Sequence, residues 1–195
     1  MDPSEINGLP AHVLFVHAVV VLVPLAALLV VLVAVWPAAR RHLTLPTAII
    51  AVVAALAVPL TTQAGEWLQR RVPPTPLVSQ HVDLGDGLLP WMAGLAVLAI
   101  LIWGRPVLAR RSATAEGPGA ATRTSSTRHG GHRTHPDPSP QPGGTTATVV
   151  LAVLAIVLAI GAVADVYAIG DSGSRAAWTG HVSSQPLPGT ARTPG

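Results

Sequence analysis

The chain has 195 residues, half of them hydrophobic and only 11% charged, against about 25% charged in an ordinary soluble domain. Cysteine is absent, which excludes disulfides, thiolate catalysis and cysteine-ligated clusters. The net charge of +3 and the sequence pI near 11 come from arginines scattered between apolar runs, so they carry no nucleic-acid footprint.

Each of four segments supplies the roughly 20 apolar residues that a hydrocarbon core of about 30 Å demands. They run from Ala11 to Trp36, Leu45 to Ala64, Leu84 to Trp103 and Ala147 to Ile169. The leader "MDPSEINGLP" carries Asp2 and Glu5 and no positive charge. The run behind it is too long for a signal-peptide core, so the first segment reads as a retained helix. Trp36, Trp67, Trp91 and Trp103 fall at or near segment ends, where indoles favour the membrane interface.

Arginine placement orients the spans. Arg40 and Arg41 follow the first, and Arg105, Arg110, Arg111, Arg123, Arg128 and Arg133 follow the third. Arg70, Arg71, Arg175 and Arg192 lie on the opposite side. Eight against four puts both termini outside, with Arg70–Arg71 the dissenting pair.

The expected fold is therefore an all-α four-helix transmembrane bundle in the plasma membrane. Residues 1–10 form an extracytoplasmic leader, 11–111 carry three helices, 145–170 the fourth, and 171–195 a disordered extracytoplasmic tail. Residues 112–144, "SATAEGPGAATRTSSTRHGGHRTHPDPSPQPGG", read as a disordered cytoplasmic loop because they cannot bury enough apolar surface to fold. His129, His132 and His135 in it have no framework to preorganise a metal.

The polar residues of the spans gather at the outer end. His12 and His17 open the first helix. Thr61, Thr62, Gln63 and Glu66 close the second, His81, Asp83 and Asp86 lead into the third, and Asp165 lies in the last turns of the fourth. Pro59, Thr62, Gln63 and Glu66 share one helix face. Ala152, Ala155, Ala159 and Ala162 form a small-residue seam suited to close helix contact. His12 and His17 stand about 140° apart around their helix, the wrong spacing for joint chelation. His12 reads as a rim residue, and His17, deeper, as the one with a buried role.

Three functions stay open for this cluster. One is a structural network or a docking point for a membrane or extracytoplasmic protein partner, with Thr62, Gln63 and Asp83 in support. Another is a cofactor site. Here two histidines from different helices, drawn from His17, His81 and His12, hold a b-type haem between them, or His17, Glu66, His81 and Asp165 bind a transition metal, in extracytoplasmic redox chemistry. The third is a proton or small-solute path. No nucleophile–base–orienter set is legible, so the reading is non-enzymatic, with the lipid bilayer as the surroundings and no nucleic-acid partner.

"GLPAHVLFVHAVVVLVPLAALL", "TTQAGEW" and "HVDLGD" together resemble the bacterial membrane family catalogued as domain of unknown function 2231. "VYAIGDSGSRAAW" is similar to a common ending among its actinobacterial members. The resemblance implies four spans, a first helix opening on two histidines, a glycine near the end of the second and a histidine before the third. His12 and His17, Gly65 and His81 match these positions. Val13, Ala18 and Val19 stand where the family usually has a proline, an aromatic and a proline. The resemblance implies no activity.

Overall fold

The computed structural model describes residues 5–6, 9–115 and 142–180, and the side chains of residues 10–105 and 146–180. Four helices make the bundle: α1 (Ala11–Val35), α2 (Pro37–Gln69), α3 (Pro76–Ala115) and α4 (Pro142–Trp178). A two-residue antiparallel pair, β1 (Glu5–Ile6) and β2 (Leu9–Pro10), precedes them. The all-α, four-helix architecture is the one expected.

The helices outrun the apolar segments, because polar residues flanking a span still continue a helix once a neighbour packs beside them. The stretch between the first two apolar segments, which carries Arg40 and Arg41, is helical rather than a loop. Trp36 alone joins α1 to α2, in an extended conformation (φ −110°, ψ 110°). The cause is Pro37, which biases the residue before it away from the α region and itself starts α2 at the first helical position, where α2 makes no use of an N–H. Pro76 starts α3 in the same way, with Thr75 Oγ1 accepting from Val78 N–H at 3.3 Å. α4 continues past Ile169 to Trp178. The segment expected to be a loop is helical at 112–115 and 142–144, and residues 116–141, with His129, His132 and His135, lie outside the described residues. So do residues 181–195 of the expected tail.

Each helix packs on its neighbour in the chain, and α4 closes onto α1. The inward stripes recur at helical spacing: Val19, Val23, Ala26 and Val30 on α1, Ala51, Ala54 and Val58 on α2, Leu88, Met92, Leu95 and Ala99 on α3. On α4 the small-residue seam is buried at Ala155, Ala159 and Ala162. Small side chains on three of the helices let the backbones approach closely, which is how apolar helices associate where lipid removes the hydrophobic drive.

The outward faces are as apolar as the core. Val21, Leu28, Leu56 and Ile160 are each at least 60% exposed. A soluble protein does not leave its helices sheathed in aliphatic side chains. All four helices are long and apolar enough to cross a membrane, the make-up of a multi-pass membrane protein. Trp36 and Trp103 are exposed at one end of the bundle, and Trp67 lies at the other beneath the Arg71 guanidinium, 3.6 Å from the ring centre. Trp91 departs from the expected belt: it sits within α3, packed on Gly161 of α4.

Candidate functional site

The start of α1, the end of α2, the start of α3 and the end of α4 share one end of the bundle, and two histidines meet there. His12 stands in the first turn of α1 and reaches α2, where its Nδ1–H donates to the Thr61 carbonyl at 3.0 Å. His81 stands near the start of α3 and reaches α4. Its Nδ1–H is within 3.1 Å of both the Ile169 carbonyl and Ser172 Oγ, and the Ser172 hydroxyl donates to the same carbonyl at 2.9 Å. Only a protonated Nδ1 can donate to a carbonyl, so these partners assign the tautomer and leave Nε2 as the acceptor nitrogen of each ring.

Each ring also lies flat on a glycine. A Cβ on Gly65 would stand 3.0 Å from His12 Cε1 and Nδ1, and one on Gly173 would stand 2.9 Å from His81 Cε1. The two seats are built alike. Thr61 and Gly65, like Ile169 and Gly173, are four residues apart, one helical turn, so carbonyl and glycine lie on one face. The bundle is two helical hairpins, α1–α2 and α3–α4, each locked at the same end by histidine on carbonyl and glycine. The ring centres are 6.3 Å apart and the planes nearly perpendicular, at 83°.

His17 does not join them. It is exposed, and its Nδ1 donates to the Val13 carbonyl of its own helix at 2.6 Å. The expected depths are thus exchanged: His12 turns inward and His17 faces out. His12 shares the inward stripe with Val19 and Val23, seven and eleven residues on, while His17 shares its face with Val21 and Leu28.

Glu66, Gln63 and Asp83 are exposed, so the face through Glu66 points out of the bundle rather than into it. The Thr61 and Thr62 hydroxyls donate to their own helix, to the carbonyls of Ala57 at 2.7 Å and Val58 at 3.1 Å, as threonines in apolar helices do. Asp165 does face inward, toward α3. A Cβ on Gly87 would stand 3.1 Å from its Oδ2, and that oxygen is buried with no hydrogen-bond partner among the described residues.

Of the four residues expected to ligate a metal, His81 and Asp165 therefore turn inward and His17 and Glu66 do not. Among the described residues no three His, Asp or Glu side chains come together as a metal site. The donor set does not fit a metal with three or more protein ligands.

Ser172 and Gly173 were not expected. They lie in what reads as a polar tail, yet Ser172 is 4% exposed. The signal was present in the spacing: Ile169-x-x-x-Gly173 repeats Thr61-x-x-x-Gly65 behind a second His-Val pair, His81–Val82 after His12–Val13.

Compared with protein-family models, with curated proteins and with solved structures, the chain matches none.

Proposed function

We propose that this is a structural multi-pass protein of the cell membrane, in which His12 and His81 clasp two helical hairpins at one end. The observation that carries the reading is the commitment of each Nδ1–H to a backbone carbonyl of the next helix, over a glycine that admits the ring. Such an arrangement satisfies the imidazole where lipid would not. We also propose kinship with the family that the chain resembles, since His12, Gly65 and His81, three of the four positions that match it, meet in this clasp.

One set of variants tests the clasp. His12→Ala and His81→Ala should each cost about 1–2 kcal/mol, one hydrogen bond plus lost packing, read as a drop of a few degrees in the thermal midpoint in detergent. His17→Ala should stay within about 0.5 kcal/mol of wild type, like most surface changes. If His17→Ala destabilises as much as His81→Ala, the clasp is not what holds this end together.

A second reading rests on the spacing of the rings. Two imidazoles on opposite sides of one metal, each at a metal–nitrogen distance of about 2.0 Å, would have ring centres roughly 6 Å apart, near the 6.3 Å separation here. A centre with two imidazole ligands, such as a haem iron, is compatible with that separation. The visible spectrum and metal content of the same purified variants decide. A Soret band present in wild type and lost in His81→Ala would favour this reading, and a colourless, metal-free wild type would end it.

We place the histidine end outside the cell on the arginine count. Arg71, one of the dissenting pair, is folded onto the face of Trp67 and donates to its carbonyl at 3.0 Å. Because the chain has no cysteine, Ser79→Cys, exposed in the first turn of α3, gives a unique thiol. It should react in intact cells with an impermeant reagent; labelling only after lysis would reverse the orientation.

A further inference from the structure

The opposite end of the bundle holds a cavity of about 190 Å³ lined by Ala34, Arg40, Ile102, Arg105, Thr148 and Leu151. It draws on all four helices, since Ala34 ends α1, Arg40 opens α2, Ile102 and Arg105 lie late in α3, and Thr148 and Leu151 lie early in α4. One water occupies about 30 Å³ in the liquid, so the space admits a polyatomic ion. Arg40 is half-buried and spends Nε and Nη2 on the Val33 and Ala34 carbonyls, and Nη1 has no hydrogen-bond partner among the described residues. Arg105 is exposed. Two guanidinium groups line one cavity, and no carboxylate among the described residues is at this end. Glu66, Asp83, Asp86, Asp165 and Asp171 all belong to the histidine end.

The depth of the cavity indicates which anion. Trp36 is 56% exposed and Trp103 36% exposed, one beside the turn that carries Arg40 and the other two residues before Arg105. Exposed indoles mark the level of the lipid headgroups, where the phosphates are. Guanidinium is the side chain that matches phosphate by its forked donors, and basic pockets between spans are where anionic headgroups seat.

We propose that this cavity is a binding site for an anionic phosphate group, from a phospholipid headgroup or free in solution, held between Arg40 and Arg105. The full chain, reconstituted in nanodiscs of phosphatidylcholine with and without phosphatidylglycerol, supplies the test, alongside a titration of inorganic phosphate in detergent. Phosphatidylglycerol should raise the thermal midpoint of wild type by about 3 °C or more. The rise should vanish in Arg105→Gln, return in part in Arg105→Lys, and persist in Arg41→Gln, whose exposed side chain does not line the cavity. A rise produced by inorganic phosphate alone and lost in Arg105→Gln would assign the site to the free ion. If neither probe shifts wild type, the site does not exist. If Arg41→Gln loses as much as Arg105→Gln, the effect is diffuse surface charge and the proposal falls.

Discussion

Replacing Arg40 by alanine is expected to cost about 3 kcal/mol, more than the loss of either clasp histidine. The last four carbonyls of a helix have no intrahelical partner. At the end of α1 the shortage is severe, because the residue that would serve the Val33 carbonyl four positions on is Pro37, which has no N–H. Arg40 supplies the donors instead: Nε–H to Val33 at 2.8 Å, and Nη2 to Ala34. Val33 and Ala34 are buried, 1% and 0% exposed, so solvent is a poor substitute. Hydrogen bonds to charged groups contribute about 1.5–3 kcal/mol each, and a cation at a helix C-terminus adds to that. Arg40→Lys should recover only part, since an ammonium lacks the fork that spans two carbonyls. The measurement is the thermal midpoint in detergent, where about 2–4 °C corresponds to 1 kcal/mol at this size. Arg41→Ala, beside it and exposed, should be silent. An Arg40→Ala protein that melts with wild type would show the two carbonyls satisfied by other means.

Gly161→Ala should lower stability by about 1–3 kcal/mol, against the usual sign. In an open stretch of helix, alanine for glycine gains roughly 1 kcal/mol. At 161 the added methyl would stand 2.5, 2.6 and 2.7 Å from Cε3, Cζ3 and Cδ2 of Trp91. An indole is a rigid bicycle, so it cannot yield a few tenths of an ångström at one atom; the whole ring or the helix must move, as in overpacked cores. Gly104 is the internal control, also helical but with nothing among the described residues within 4 Å of its Cβ position. Gly104→Ala should be neutral or stabilising. Trp91→Leu should remove most of the penalty of Gly161→Ala, and the double-mutant cycle measures how much of it belongs to that contact. A strictly additive cycle would mean that the ring and the glycine do not press on each other.

The sequence displayed the number and kind of elements because a span must be about 20 apolar residues long whatever packs beside it, and that requirement is local. It displayed the gathering of polar residues at one end for the same reason. Which of them turn inward is decided by neighbours, and there a single helix read alone misleads. His17 aligns with Pro24 and looks buried, but its face continues through Val21 and Leu28 to the outside. Glu66 aligns with Pro59, Thr62 and Gln63, but Gly65 beside it continues the buried stripe of Ala51, Ala54 and Val58. The inward faces follow the smallest side chains rather than the most polar, since close approach is what holds apolar helices together. The partners of the histidines are backbone carbonyls, which leave no trace in residue type. Only the repeated four-residue interval ahead of each glycine betrays them.

Trp36 has a further role that comes from being a single residue. With no loop to absorb slack, the joint between α1 and α2 acts as an angular gauge. One residue inserted there would turn α2 by about 100° and slide it about 1.5 Å along its axis. Ala64 would then stand where Gly65 stood, pressing its methyl into the His12 ring, and Leu60 would present its carbonyl in place of Thr61. The seat of a histidine at one end of the bundle is thus metered by the length of a joint at the other, a whole span away.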